Sequence, residues 1–424
     1  MKHEPVIDPL VPVRTVHFAA TALAAGTVSF LVVVAEPAFA AAGDANGWKA
    51  FQRAARWLAW SGLAVAAASG AAWLIWLASD IYGASLVYVC VHGGALSVLT
   101  ETRFGQVAIA RLALALLIGI VLPWPSTRWL QLLAAAAFVG LLAPIGHAGA
   151  SASDAGNMHL GSDILHLLGA AAWLGALPAL ALLLHLVRGK APAVAAAAAR
   201  RFSPLGIASV GILLVTGIVN SWYLLSGPSN LISTDYGRLV LLKIGMFAAM
   251  VGIAAVNRYR LTPRLAAPSA VRALERNSLA EVCLGLCVFL FVGALGTMEP
   301  PVHNHIPTEQ IPPDAAYVHI HSSEAMADVI IEPGRTGPAQ AKVLLLREDF
   351  SVFTAQGLKF VLTPQATSKV ASITRTPERQ PDGSWKIDRL NIAEPGVWTV
   401  TLTITTTGGS AIVLDAPVVI ERTK

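Results

Sequence analysis

One polar stretch between two apolar segments carries residue types that bind metal ions. The stretch GHAGASASDAGNMHLGSDILH (146–166) contains His147, Met158, His159 and His166 but no lysine or arginine. Imidazole binds copper, zinc, nickel or heme iron, and a thioether shifts the preference toward Cu(I). Alternatively, small polar residues simply form a loop and the histidines are incidental surface groups. The pattern therefore leaves two interpretations open, a metal site and an ordinary polar loop.

The elements that position these residues are predicted to be membrane helices. Hydrophobic residues make up 55% of the 424 positions and charged residues only 13%, which leaves too little polar surface for a soluble protein of this size. Apolar runs long enough to cross about 30 Å of hydrocarbon recur along the chain. They lie at approximately 14–35, 54–78, 105–122, 128–147, 163–187, 203–225, 238–257 and 278–297. We therefore predict a mainly α, polytopic membrane bundle of eight helices, of which the third is the shortest.

Lysine and arginine are concentrated in alternate connections, namely those after the first, third, fifth and seventh runs. The positive-inside rule makes these connections cytoplasmic and directs both termini outward. The first run ends in an Ala-x-Ala pattern typical of a signal-peptidase site, but Glu4 and Asp8 weaken the basic region expected before a signal peptide. We therefore expect a retained helix. The net charge of +5 follows from this topology and predicts no nucleic-acid partner.

The composition changes abruptly after about residue 298. The segment MEPPVHNHIPTEQIPPD (298–314) is typical of a proline-rich linker, and short alternating segments such as LKFVLTP (358–364) and VWTVTLTIT (397–405) predict strands. The tail contains no cysteine, so its core forms without disulfides. We predict a membrane domain over 1–297, the linker, and a small extracytoplasmic β-sandwich over 315–424.

On this topology the histidines divide unevenly. Ten lie at or near the outer face or in the tail, and only His185 lies at the inner end of a helix. His147 is predicted to end the fourth helix, and His166 to lie about one turn into the fifth, which begins near Gly161-Ser162-Asp163. His17 lies at a similar depth in the first helix. The three could converge on one shallow metal site, or each could form separate hydrogen bonds, because an unpartnered histidine in an apolar helix is costly.

Two pairs of softer ligands lie deeper in the helices. The members of each pair are four residues apart and so share a helix face: Met246 with Met250, and Cys283 with Cys287. These side chains could pass Cu(I) inward by ligand exchange. They could equally be ordinary apolar packing residues.

Further candidate ligands lie toward the outer side. Met158 and His159 would form an outer vestibule. His303-Asn304-His305 and His319-Ile320-His321 are H-x-H pairs in the linker and tail. On a strand, His319 and His321 project to one face and could bind one ion. In a flexible linker such pairs can also be accidental.

Four segments resemble the copper resistance protein D (CopD, PcoD) family. They are TRFGQVAIARLALAL (102–116), DILHLLGAAAWLGALPAL (163–180), RFSPLGIASVGILLVTGI (201–218) and DYGRLVLLKIGMFAAMVGIAAVNRYRLTPRL (235–265). The resemblance covers roughly residues 14–297. It implies eight helices and copper transport across the bacterial inner membrane, and it assigns His147, His166 and His17 to candidate ligand positions.

The resemblance extends to other residues, for which it implies helix packing or interfacial anchoring. These are Arg103, Arg111, Trp173, Tyr236, Arg238, Lys243 and Asn257. The tail is similar to YtkA-like or FixH-like periplasmic sandwich domains through its strand pattern and the phrase EPGVWTVTLTI. Some relatives carry a copper-binding CopC domain, so a separate periplasmic chaperone of the CopC type is an expected partner, unless the histidine-bearing tail takes that role.

Together these observations predict a multi-pass inner membrane protein that accepts copper at the periplasmic face and moves it inward, in copper homeostasis or resistance. No P-loop and no large cytoplasmic domain is evident in the sequence, so we expect neither ATP-driven export nor enzymatic activity. Two alternatives stay open. One is a bis-histidine heme protein that transfers electrons, with axial ligands from His17, His147 or His166. The other is an assembly factor that delivers copper without transporting it.

Overall fold

A computed structural model of the chain describes residues 8–82, 84–146, 154–225, 227–298, 311–312, 314–322, 325–347, 352–364, 370–406 and 408–422, without the side chains of 154–156 and 321. Eight helices in these ranges are long and apolar enough to cross a membrane, which confirms the predicted number. They are α1 Leu10–Ala42, α2 Ala45–Tyr82, α3 Arg103–Val121, α4 Pro125–Ile145, α5 Asn157–Val187, α6 Pro192–Leu225, α7 Asp235–Arg264 and α8 Pro268–Leu295. Helix α3 is the shortest of the eight, as predicted.

Helix α1 lies at the centre of the bundle and packs against α2, α4, α5 and α8. Small residues such as Ala24 and Ala25 are almost fully buried along it, because small side chains allow membrane helices to approach closely. The helix widens into a π-helical turn at Leu31–Ala35 before it continues to Ala42.

Helix α5 begins earlier than the sequence predicts. Helical structure starts at Asp154, so His166 lies about three turns from the helix start rather than one. Ser162 and Asp163 therefore lie inside the helix, and their side chains hydrogen-bond across to α6. The helix is interrupted after Trp173 and resumes as Leu177–Val187. Helices α5 and α6 then run side by side over much of their length.

Short elements join the spans and fix where they begin. Two small helices, Leu86–Val91 and Gly94–Glu101, connect α2 to α3, and Asn230–Ser233 precedes α7. Thr102 and Thr234 cap α3 and α7 by accepting hydrogen bonds from backbone N–H groups three residues on, at 3.1 and 3.0 Å. Helix α7 ends with a π-helical segment, Asn257–Leu261, and a 3₁₀ turn, Thr262–Arg264.

The tail forms a separate compact unit, an antiparallel β-sandwich. Its strands are β1 Ala316–His321, β2 Met326–Glu332, β3 Gly337–Leu346, β4 Gly357–Pro364, β5 Ile373–Arg375, β6 Glu378–Arg379, β7 Trp385–Ile392, β8 Gly396–Thr405 and β9 Ala411–Ile420. One sheet has the order β1-β2-β3-β7-β6 and the other β5-β4-β8-β9. Apolar side chains from both sheets form one core. The sandwich predicted from alternating hydrophobicity is confirmed.

Candidate functional site

Helices α5 and α6 face each other through a line of polar side chains, which we call the polar ladder. On each helix three polar residues recur at spacings of three and four, so they share one face. The pairs across the interface are His159 with Tyr223, Asp163 with Asn220, and His166 with Thr216. The first pair stacks with ring centroids 4.7 Å apart, and the other two are hydrogen-bonded at 3.2 and 2.8 Å. Antiparallel packing thus matches each polar group of α5 with one of α6.

His166 is held in one tautomer by its neighbour. The hydroxyl of Thr216 donates its hydrogen to the carbonyl of Ile212 at 2.6 Å, so its oxygen accepts the bond from Nδ1 of His166. Nδ1 therefore carries the proton, and Nε2 keeps its lone pair. Among the described residues no hydrogen-bond partner occupies Nε2. An imidazole fixed through one nitrogen with the other available is the arrangement found in metal-ligating histidines.

The ring of His166 lines a cavity of about 480 Å³ between α5, α6, α7 and α8, which we call the outer cavity. Most of its walls are apolar, including Phe247 and Met250. Lys243 also lines it and lies near enough to Asp163 and His166 to interact electrostatically with both. The cavity therefore combines the imidazole of His166 with the basic side chain of Lys243, and the carboxyl group of Asp163 lies close enough to interact with Lys243.

His17 lies in a different setting, inside the first half of the bundle. Its Nδ1 lies 3.0 Å from the carbonyl oxygen of Ala66 and 3.2 Å from the hydroxyl of Ser69. A carbonyl can only accept, so Nδ1 carries the proton. The other nitrogen, Nε2, accepts a hydrogen bond from the guanidinium of Arg111 at 3.0 Å.

This arrangement makes His17 a less suitable metal ligand than His166, and metal binding by His17 stays an untested prediction. Its available lone pair is taken by Arg111, whose positive charge also opposes a bound cation. Arg111 is buried and donates further hydrogen bonds to Thr21 at 2.9 Å and to the carbonyl of Phe138. His17 and Arg111 therefore join α1, α2, α3 and α4 as a structural network. His166 contacts α6 instead, so the predicted convergence of these two histidines is not supported.

The predicted methionine ligands and vestibule residues differ in burial. Met250 is 1% exposed and lines the outer cavity, whereas Met246, one turn away, is only partly buried. Met158 is 63% exposed, while its neighbour His159 is buried against the ring of Tyr223. The vestibule formed by Met158 and His159 stays a prediction.

The two cysteines of α8 are both exposed, so the predicted inward relay through them is not supported. Helix α8 buries the face that contains Ser278, Glu281 and Gly285. Cys283 and Cys287 fall on the opposite side of the same helix, because each residue advances about 100° around the axis. The spacing predicted correctly that the cysteines share a face, but that face points away from the bundle interior.

In the tail, His319 is hydrogen-bonded through Nδ1 to the buried carboxylate of Asp328 at 2.7 Å, and Tyr317 donates to the same oxygen at 2.7 Å. Strand register pairs His319 with Asp328 and His321 with Met326. A carboxylate that orients an imidazole is common around metal-ligating histidines. Metal binding by the tail remains a prediction.

Several candidate ligands lie outside the described residues, namely His147, His303 and His305. Within the part of the chain that the structure describes, no group of three His, Cys, Asp or Glu side chains is arranged to hold a metal ion. The sequence interpretation missed the ladder residues Asp163, Thr216 and Asn220. Their signal was present as polar residues spaced by three and four on membrane helices, where unpaired polar groups are costly.

Most of the membrane domain matches models of known protein families. Residues 6–160 match the family described as Copper resistance protein D-like, N-terminal domain, and residues 196–295 match the family described as Copper resistance protein D. Inner membrane protein YebZ of Escherichia coli (strain K12) is 32% identical over 209 residues, which cover 47% of this chain and 70% of YebZ. The chain belongs to the copper resistance protein D family.

Other proteins are also similar to this copper resistance protein D family member. Copper resistance protein D of Pseudomonas syringae pv. tomato is 28% identical over 222 residues, covering 47% of this chain and 70% of the relative. Copper transport protein CutJ of Bacillus subtilis (strain 168) is 31% identical over 140 residues, covering 33% of this chain and 25% of CutJ. These names refer to copper and give the heme alternative no support.

Proposed function

We propose that this family member accepts copper at the periplasmic face and moves it inward through the half of the bundle formed by α5 to α8. The proposal rests on the environment of His166. Its Nδ1 is fixed by Thr216, its Nε2 has no hydrogen-bond partner among the described residues, and its side chain lines a cavity inside a membrane bundle. The names of the relatives from P. syringae and B. subtilis support copper as the cargo. Copper handling in the inner membrane is also supported by the family and by the name of the E. coli relative.

A route through the bundle is supported by a second cavity on the same four helices. This inner cavity, of about 210 Å³, is lined by later residues of α5 and α7 and earlier residues of α6 and α8. Leu174 and Met250 line the outer cavity, whereas Trp173 and Val251 line the inner one. Because these residues are adjacent along α5 and α7, we propose that only about one layer of side chains separates the two cavities. We propose that copper crosses this layer.

The direction of movement rests on the charge pattern. The basic connections lie at the same ends of the helices as the inner cavity, and we propose that this side is cytoplasmic. An inside-negative potential then drives a cation inward by about 2.3 kcal/mol per unit charge for each 100 mV. We propose a periplasmic chaperone of the CopC type as the copper donor, and the histidines of the tail as a further place of capture.

The test of this function is copper flux in liposomes that contain the purified full-length protein. Liposomes with an inside-negative potential and a trapped copper indicator should fill faster than protein-free liposomes, and collapse of the potential should slow filling. Equal rates with and without protein would refute transport. In that case, stoichiometric copper binding would favour the delivery factor, and a Soret band in the isolated protein would favour heme.

Met250 provides a test of the predicted thioether relay. Exchange of Met250 for leucine conserves volume and should cost less than about 1.5 kcal/mol of stability. Loss of the soft sulfur from the layer between the cavities should nevertheless lower copper flux by about tenfold. This value is the lower end of the loss, about 10- to 100-fold, that follows removal of a group supporting a metal ligand. Flux is measured per folded protein in the same liposomes.

The matched control is the double variant Cys283→Ser/Cys287→Ser. Both side chains are exposed, and substitutions at such positions usually change energies by less than about 0.5 kcal/mol, or roughly twofold in rate. Flux of the Met250→Leu variant equal to that of the double cysteine variant would show that Met250 serves packing alone.

A further inference from the structure

The inner cavity contains oxygen-bearing side chains that the proposed His166 site does not use. Glu281 and Ser278 of α8 and Asn257 and Thr262 of α7 all line it, whereas most of the remaining wall is apolar. Ser278 and Glu281 are three residues apart and so lie on one face of α8. Two helices thus bring a carboxylate and hydroxyl groups to one space, whereas the amide oxygen of Asn257 accepts a hydrogen bond from Asn277 at 2.7 Å.

Glu281 is a buried acid without an ion-pair partner among the described residues. It is 2% exposed, and its carboxylate accepts one long hydrogen bond, from the amide of Asn257 at 3.4 Å. Glu275, on the same helix, contrasts with it, since its two oxygens bind His185 at 2.9 Å and Arg188 at 3.1 Å. An uncompensated carboxylate within a membrane helix is expensive. A bound cation would supply the missing charge.

Ser278 is a second, independent sign of a missing ligand. The residue is fully buried and lines the inner cavity, yet its hydroxyl oxygen has no hydrogen-bond partner in the part of the chain that the structure describes. Buried hydroxyl groups are normally satisfied by protein, water or an ion. Asn257, across the cavity, begins the π-helical segment Asn257–Leu261, a distortion that occurs often at functional sites.

Arg258 lines the same cavity and supplies the rival explanation, an ion pair with Glu281. In the structure its guanidinium instead donates to Ser203 and lies 5.6 Å from the ring centroid of Tyr259. Its positive charge is therefore engaged away from the carboxylate. The carboxylate remains available to another cation.

We propose that Glu281 and Ser278, with Asn257 positioning the Glu281 carboxylate, form an inner cation-binding site, which receives copper from the outer cavity and releases it on the basic side of the bundle. This inference rests on the proposed transport function. Oxygen donors hold copper less tightly than imidazole or thioether ligands, and a conducting pathway needs a last site that is weak enough for the ion to leave. A site of oxygen ligands at the basic end of the route meets that requirement.

The test compares wild type and Glu281→Gln in copper-flux liposomes and in equilibrium dialysis of the full-length protein against copper. Glutamine keeps the shape and the contact with Asn257 but removes the charge. We expect one fewer copper ion bound per chain at saturation, unchanged tight binding, and flux reduced by at least about tenfold, as expected for loss of a group that supports a metal. Glu275→Gln is the control, because Glu275 is an acid of the same helix whose partners are protein side chains; its flux per folded protein should match wild type.

A second variant keeps the inference testable if Glu281→Gln folds poorly. Ser278→Ala removes a hydroxyl without a described partner, so it should fold normally and still lower flux several-fold. Unchanged flux and unchanged copper stoichiometry in either folded variant would overturn the inner site. If Arg258→Gln loses flux and bound copper to the same extent as Glu281→Gln, an ion pair between Arg258 and Glu281 is favoured. That outcome would also overturn the inner cation-binding site.

The outcomes also separate this inference from the proposed function. If wild type carries no flux at all, transport fails, and the loss or retention of one copper ion in Glu281→Gln still decides whether the inner site exists. If wild type transports copper and Glu281→Gln transports it equally well, the function stands and the inner site is wrong.

Discussion

Replacing His166 with alanine is expected to lower the affinity of the membrane domain for copper by more than about 100-fold and to abolish flux. Loss of a group that merely supports a metal ligand costs about 10- to 100-fold in affinity, and His166 is proposed to be the ligand itself. The supporting role belongs to Thr216, which accepts from Nδ1 at 2.8 Å. Thr216→Val should therefore lower the copper affinity by only about 10- to 100-fold. Equilibrium competition with a copper chelator measures both values in the purified protein.

Two other variants separate coordination from general disturbance of the bundle. His17→Gln should bind copper within about twofold of wild type, because the lone pair of His17 is taken by Arg111 and a change of that size is typical for residues outside a site. Lys243→Gln removes a positive charge from the outer cavity and should strengthen copper binding. Wild-type affinity in His166→Ala, or a larger loss in His17→Gln, would contradict the assignment of His166.

Enlarging Gly26 or Gly175 is expected to prevent the membrane domain from folding. A Cβ atom on Gly26 would lie 2.1 Å from the backbone carbon of Gly175, and one on Gly175 would lie 2.0 Å from the carbonyl oxygen of Ala22. At this point α1 crosses the interruption of α5, and the nearest atoms belong to the backbones of the two helices. A clash with backbone atoms cannot be relieved by rotation of a side chain. Alanine at either position should destabilise the protein by about 3 kcal/mol or more, at or above the upper range for overpacking. Thermal unfolding in detergent and the yield of monodisperse protein report the loss.

Gly252→Ala is the matched control, since nothing lies within 4 Å of a Cβ atom at that position of α7. Alanine is favoured over glycine in helices by up to about 1 kcal/mol, so this variant should be as stable as wild type or slightly more stable. Equal stability of Gly175→Ala and Gly252→Ala would show that the close crossing of α1 and α5 is not required.

The close crossing joins the two halves of the bundle. His17 and Arg111 lie in the half formed by α1 to α4, whereas the polar ladder and both cavities lie in the half formed by α5 to α8. Helix α1 contacts helices of both halves. A variant such as Gly175→Ala that separates α1 from α5 should therefore disturb copper handling together with stability, whereas His166→Ala should disturb copper handling alone.

The sequence by itself determined the architecture of this protein. Eight apolar runs predicted eight spanning helices, and alternating hydrophobicity after the proline-rich segment predicted the sandwich. These features depend on local quantities, namely run length and period, that a single segment carries within itself. The resemblance to the copper resistance protein D family was likewise readable from contiguous motifs, and the family is confirmed.

The tertiary structure decided which hydrogen-bond partners the two membrane histidines have. His17 and His166 are both single histidines in apolar helices, and the sequence treats them alike. The decisive partners are Arg111, 94 residues after His17, and Thr216, 50 residues after His166. Arg111 donates a hydrogen bond to the lone pair on Nε2 of His17. Thr216 instead accepts a hydrogen bond from Nδ1 of His166, which leaves the Nε2 lone pair of that ring without a described partner. Such hydrogen bonds join residues from different helices, so their donors and acceptors are assigned only when the helices have packed.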